Sequence, residues 1–172
     1  LVEQGKLDLD TDVNTYLDFK VPSKGEPITL RHVMTHSTGF EERIKYLMSN
    51  DAAGPGPLGE YLKSWVPAQI FKPGTTPAYS NYATSLAGYI VSRVSGLSFD
   101  DYIDQHILQP LDMRHASFRQ PLPAALQPFM SQGYALGSGE PKPYEMVLSA
   151  PAGSLAGSRA DMAKFMLAHL PT

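Results

Sequence analysis

Pro77-Ala78-Tyr79-Ser80-Asn81 follows the turn-prone run Lys72-Pro73-Gly74-Thr75-Thr76 and opens onto an apolar pattern of helical period. A tyrosine and an asparagine two residues apart at the mouth of a helix can turn a phenol and an amide to one pocket. The phenol exchanges a proton, and the amide offers a carbonyl acceptor and two N–H donors. The same residues also admit a purely structural reading, with Tyr79 half-buried before a helix and Asn81 as a plain N-cap. Downstream, Tyr82, Leu86, Tyr89, Ile90 and Val94 fall on one side of a helix from Asn81 to Ser95, and Gly96 ends it. Ser80 lacks the Gly-x-Ser-x-Gly setting of a nucleophile elbow and reads as a helix-start residue; Ser154 reads as a loop serine.

The flanking chain is mostly helical, with long punctuated loops. Leu1 to Gln4 read as the end of a helix, because Gly5 suits a C-terminus that must turn left-handed. Thr29 caps a short helix from Leu30 to about His36, closed near Gly39. Leu58, Tyr61, Leu62 and Trp65 recur at i, i+3, i+4 and i+7, an amphipathic helix. Ser98-Phe99-Asp100-Asp101 reads as a capping box for a helix reaching Leu108, stopped by Pro110. Ser158-x-x-Asp161 starts a last helix with Met162, Phe165, Met166 and His169 along its buried stripe. Asn50 to Pro57 is a loop by composition. Residues 121–151 are too rich in proline and glycine for helix, with short strands expected at Gly133 to Leu136 and Glu145 to Leu148.

Taken with these surroundings, Tyr79-Ser80-Asn81 resembles the Tyr-x-Asn motif of the serine β-lactamase and penicillin-binding protein superfamily. The branch it is most similar to holds class C β-lactamases, D-alanyl-D-alanine carboxypeptidases and related esterases. Ile28-Thr29-Leu30-Arg31-His32-Val33-Met34-Thr35-His36-Ser37-Thr38-Gly39 looks like that family's "ITLRHLLTHTSG" segment, with Ser37 and Thr38 in swapped order. Pro151-Ala152-Gly153-Ser154-Leu155, running into Ser158 to Met162, resembles its "AGGL…T…D" segment. The stretches Leu1 to Asp10, Tyr82 to Gly96 and Phe99 to Met113 also match, in the expected order.

The resemblance implies a mainly α fold with a small β component: residues 1–172 as one helical subdomain of a β-lactamase/transpeptidase-like α/β fold, lacking most of the central sheet. It implies serine acylation of a β-lactam, a D-Ala peptide or an ester, with no cofactor. Free tyrosine, with a pKa of about 10, is a poor base at neutral pH. Neighbouring ammonium groups favour its phenolate, and the family supplies them from Ser-x-x-Lys and a late Lys-Thr-Gly strand. Residues 1–172 hold neither motif. Ser-x-x-Lys is expected roughly four helical turns upstream of Leu1, so the chain reads as an internal piece of a longer protein, inactive alone. Tyr79 and Asn81 are then the catalytic residues carried here, and Asn81 also binds the substrate's side-chain amide. Residues 121–151 correspond to a loop bordering the active site. An inactive relative that binds ligands or partners without turnover is the alternative, and Ser-x-x-Lys upstream separates the two.

Composition excludes other classes. The net charge of −3 and the absence of a basic run argue against nucleic acid and anionic membrane surfaces. Zero cysteines remove disulfides, a thiol nucleophile and thiolate metal sites. No apolar run is long enough to span a membrane. His32 and His36 share the i, i+4 spacing of a zinc-protease helix, and Glu41 or Glu42 offers a third ligand. Val33 stands where that motif needs its glutamate, however, so no metal site is assigned and His36 is expected to hydrogen-bond the Ser37–Gly39 turn. The partners expected are a small-molecule or peptidoglycan-like substrate and, through an apolar face meant for the sheet, further copies of the chain. The resemblance places the protein in the periplasm or outside the cell, with any membrane anchor in segments beyond residues 1–172.

Overall fold

The computed structural model describes residues 1–50 and 56–171. Among these residues five α-helices carry the architecture: α1 (Leu30–Met34), α2 (Leu58–Ser64), α3 (Asn81–Ser95), α4 (Phe99–Ile103) and α5 (Arg159–Leu167). Strands are two residues each and pair in antiparallel twos: β1 (Met48–Ser49) with β5 (Met146–Val147), β2 (Ala116–Ser117) with β6 (Ala156–Gly157), and β3 (Gly133–Tyr134) with β4 (Pro141–Lys142). The fold is mainly helical with a small β component. The loop expected over Asn50 to Pro57 falls largely on residues 51–55, outside the described residues. Among the described residues, no helix is long and apolar enough to cross a membrane.

The central element is α3. Ser80 starts it by accepting the Ala83 N–H at 3.1 Å, and Gly96 closes it at φ 77°. Tyr82, Ala83, Leu86 and Ile90 form its buried face, packed with Val13, Val21, Ile28, Leu30, Val33, Phe40 and Leu62. Phe40 meets Tyr82 edge to face at 5.4 Å, a geometry favoured by the ring quadrupoles. Truncating a side chain as enclosed as Leu86 costs about 2–5 kcal/mol, because the hole it leaves collapses only in part. On the far side, a Cβ on Gly88 would stand 2.5 Å from Pro151 Cγ, so glycine lets the 150–152 turn lie directly on the helix.

A second cluster, Leu108, Met113 and Ala116, receives Met162 and Phe165 of α5. Only half of the stripe expected on α5 is covered, since Met166 is 68% exposed and His169 also faces solvent. In its place α5 buries Asp161, whose carboxylate accepts the His115 N–H at 2.7 Å and whose backbone N–H donates to the capping Ser158 hydroxyl at 3.1 Å. Burial opposes ionisation of Asp161, but the His115 N–H, the Ser158 hydroxyl and Lys164 outweigh it and hold its carboxyl below the ordinary range.

Most expected boundaries hold to within a few residues. The Gly5 N–H bonds the Val2 carbonyl and the Lys6 N–H bonds the Leu1 carbonyl, with Gly5 at φ 67°. That is the 5→2 and 6→1 pairing that ends a helix. The Ser98 helix is α only to Ile103 and continues to Leu108 as a π-turn. Helix α1 stops at Met34, two residues short of expectation, because His36 takes φ 51° and leaves the helix.

Candidate active site

Residues 74–80 reach α3 by running alongside residues 36–39. The Gly74 N–H donates to the Ser37 carbonyl at 2.7 Å, and the Ala78 N–H donates to the His36 carbonyl at 2.7 Å. The Ser80 N–H then donates to His36 Nδ1 at 3.2 Å, which puts the imidazole proton on Nε2. The His36 ring lies 4.7 Å from the Tyr79 ring. His36 thus holds the Tyr79 segment and not the Ser37–Gly39 turn. Its partner in the i, i+4 pair goes elsewhere: His32 Nδ1 accepts the Thr29 N–H in the capping box of α1. The early end of α1 separates the two imidazoles. Among the described residues no group of three or more metal-binding side chains forms.

Tyr79 and Asn81 do meet. Tyr79 is 58% exposed, and its hydroxyl donates to Asn81 Oδ1 at 3.0 Å. Ser80 between them is fully buried, consistent with a cap and inconsistent with a nucleophile open to substrate. The Asn81 side chain and backbone N–H both donate to Glu42, at 2.7 and 3.0 Å. A phenol able to exchange protons and an amide with a donor to spare stand side by side at the N-terminus of a 15-residue helix, where backbone dipoles favour negative charge. Such a pair can pass a proton and hold a carbonyl.

Two members of this constellation are absent from the sequence reading in these roles. Glu42, weighed there as a metal ligand, lies 39 positions from Asn81, and no periodicity links them. His36 serves Ser80 and not its own turn, a contact across 44 residues that depends on where α1 stops. Ser154 is a loop serine as expected; it is buried, and its hydroxyl donates to the Phe118 carbonyl at 2.9 Å.

Comparison with known proteins agrees with the fold. Residues 1–172 match the family described as Beta-lactamase. The chain is 33% identical over 168 residues to a Bacillus subtilis (strain 168) relative named for penicillin binding, PbpX, across 96% of this chain and 40% of that protein. It is 25% identical over 172 residues to the beta-lactamase of Escherichia coli (strain K12), across 98% and 43%. The solved structure of an octameric penicillin-binding protein homologue from Pyrococcus abyssi superposes with a TM-score of 0.77 at 29% identity, across 96% of this chain and 40% of the other. The chain therefore spans less than half the length of these relatives. With a match along its whole length and one-third identity to a relative over nearly all of it, the chain belongs to the beta-lactamase family.

Proposed function

We propose that residues 1–172 carry one wall of the active site of a β-lactamase-type serine hydrolase, with Tyr79 relaying a proton and Asn81 binding substrate. The observation that carries this reading is the exposed Tyr79 hydroxyl on Asn81 Oδ1 at 3.0 Å, fixed at the start of α3 by His36 and Ser80. A serine from a Ser-x-x-Lys segment outside residues 1–172 attacks the substrate carbonyl. A serine O–C bond forms, the acyl C–N or C–O bond breaks, and the serine proton passes by way of the Tyr79 oxygen to the leaving atom. Water then cleaves the acyl-enzyme and returns a proton along the same path. Asn81 donates an N–H to the carbonyl of the substrate's side-chain amide.

The substrates proposed are a β-lactam, a D-Ala peptide or an ester. Residues 121–151 form a further wall of the cleft; the β1–β5 pairing in support ties Met146–Val147 to Met48–Ser49, a few residues after Glu42. The whole protein works in the periplasm or outside the cell, on a small-molecule or peptidoglycan-like substrate. Its sheet-facing apolar surface, when uncovered, promotes self-association.

Labelling with a fluorescent penicillin tests the reading. The full-length protein that carries these residues is expected to show a covalent band, and residues 1–172 alone none. A full-length protein that binds the penicillin reversibly but never acylates would favour the alternative, ligand binding without turnover. A band on residues 1–172 that disappears in Ser80→Ala would overturn the assignment of the serine.

A further inference from the structure

We infer that Glu42 is a positioning residue of this site: its carboxylate fixes the Asn81 amide so that one N–H alone is offered to substrate. The inference rests on the reading of Tyr79 and Asn81 proposed above. Asn81 Nδ2 donates to Glu42 Oε1 at 2.7 Å, and the Asn81 backbone N–H donates to Oε2 at 3.0 Å. An ionised carboxylate only accepts, so the amide must turn its nitrogen toward Glu42. The amide carbonyl then faces the Tyr79 hydroxyl, which donates to it at 3.0 Å. The result is a directed chain from phenol to amide to carboxylate. The reversed amide would set its carbonyl against the carboxylate and cannot hold. Asn81 therefore meets substrate as a donor, through its second N–H, with its acceptor already engaged.

Glu42 is exposed, so burial does not hold it. The chain on both sides of it does. The Glu41 N–H donates to the Ala68 carbonyl at 2.8 Å, and Phe40 bridges to Gln69. Beyond Glu42, the Arg43 guanidinium lies 5.3 Å from the Trp65 ring and Tyr46 lies 4.4 Å from it. Residues 40–46 are thus fastened to residues 65–69, and Glu42 spans from that strap to the start of α3. A carboxylate at this point also complements the helix dipole. That contribution is indifferent to the Asn81 side chain, and this difference separates capping from positioning.

A double-mutant cycle in the full-length protein makes the separation, with kcat/KM for a substrate bearing a side-chain amide, kcat/KM for nitrophenyl acetate, and thermal unfolding as the three readouts. Losing one exposed, charge-assisted hydrogen bond is worth roughly three- to tenfold. Glu42→Ala is expected to lower kcat/KM by that factor on the amide substrate and much less on the ester, and to have no further effect in Asn81→Ala. Glu42→Gln keeps an acceptor for Nδ2 and is expected to fall between; it runs the same cycle if Glu42→Ala does not fold. If Asn81→Ala lowers activity while Glu42→Ala is silent, or if the two losses simply add, Glu42 does not act through Asn81 and this inference is overturned while the site reading stands. If Asn81→Ala itself has no effect, both fall.

Discussion

Gly39→Ala tests the joint between the two segments that build the site. Gly39 sits at φ 78°, and a Cβ built there would stand 2.1 Å from the Phe71 carbonyl oxygen and 2.7 Å from its carbon. Retreat is blocked, because the Gly39 carbonyl accepts the Ile70 N–H at 2.8 Å and the Phe71 N–H at 3.1 Å. The left-handed backbone costs an alanine about 1–2 kcal/mol. Forcing two backbone segments apart adds about 1–3 kcal/mol. The expected loss is about 2–5 kcal/mol by urea denaturation, read from the midpoint at unchanged slope. Gly5→Ala is the control: it has a similar φ of 67° but open space around its Cβ, so it carries the conformational part alone. Since His36 and Glu42 flank Gly39 and both bond the start of α3, Gly39→Ala should also loosen Tyr79 and Asn81. A Gly39→Ala protein no less stable than Gly5→Ala would refute the packing argument.

His36→Phe keeps a ring against Tyr79 but orphans the Ser80 N–H; it should cost about 1 kcal/mol in unfolding and lower activity without changing substrate preference. Asp161→Ala removes the buried carboxylate that the part-buried His115 N–H donates to and should cost about 1–3 kcal/mol at neutral pH. Because Asp161 ionises more readily folded than unfolded, its contribution is complete above the ordinary carboxyl value of 3.8 and is lost as pH falls through its lower folded value. The gap between wild type and Asp161→Ala should therefore narrow below about pH 4 in a series of melts; a constant gap contradicts the assignment. Asn81→Ala should lower kcat/KM roughly ten- to a hundredfold on β-lactams and D-Ala peptides and far less on short esters; equal losses would mean that Asn81 shapes the site without reading the amide.

The helices were legible because their signals are local. Ser80, Ser98 and Ser158 each cap the turn that follows through the N–H three residues on, and Gly96 closes α3 where the periodicity runs out. The Tyr79–Asn81 pair was legible for the same reason, being two residues apart at a helix start. What escaped the sequence depends on long-range placement. Whether His36 serves its own turn or Ser80 is decided by a left-handed backbone at His36 that no flanking glycine announces. Glu42 reads from the sequence only as a third ligand beside the His32–His36 pair, and its place at Asn81 emerges once its neighbours are fastened to Trp65. The pairing of Met146–Val147 with Met48–Ser49 joins segments nearly a hundred residues apart, so only one partner of the strand pair was expected. On α5, apolar period promised burial for Met166, but the helix packs through Met162 and Phe165 and leaves its last turn in solvent.

The central claim is that the Tyr79 oxygen handles the proton in acyl transfer, and Tyr79→Phe in the full-length protein tests it most directly. The substitution removes one atom, keeps the ring against His36, and leaves Asn81 bound to Glu42. Acylation measured by stopped-flow with a chromogenic β-lactam should slow by about 10²–10⁴, the usual contribution of a general acid–base group, with unfolding little changed. A Tyr79→Phe protein that acylates at the wild-type rate contradicts the claim and removes Tyr79 from the chemistry.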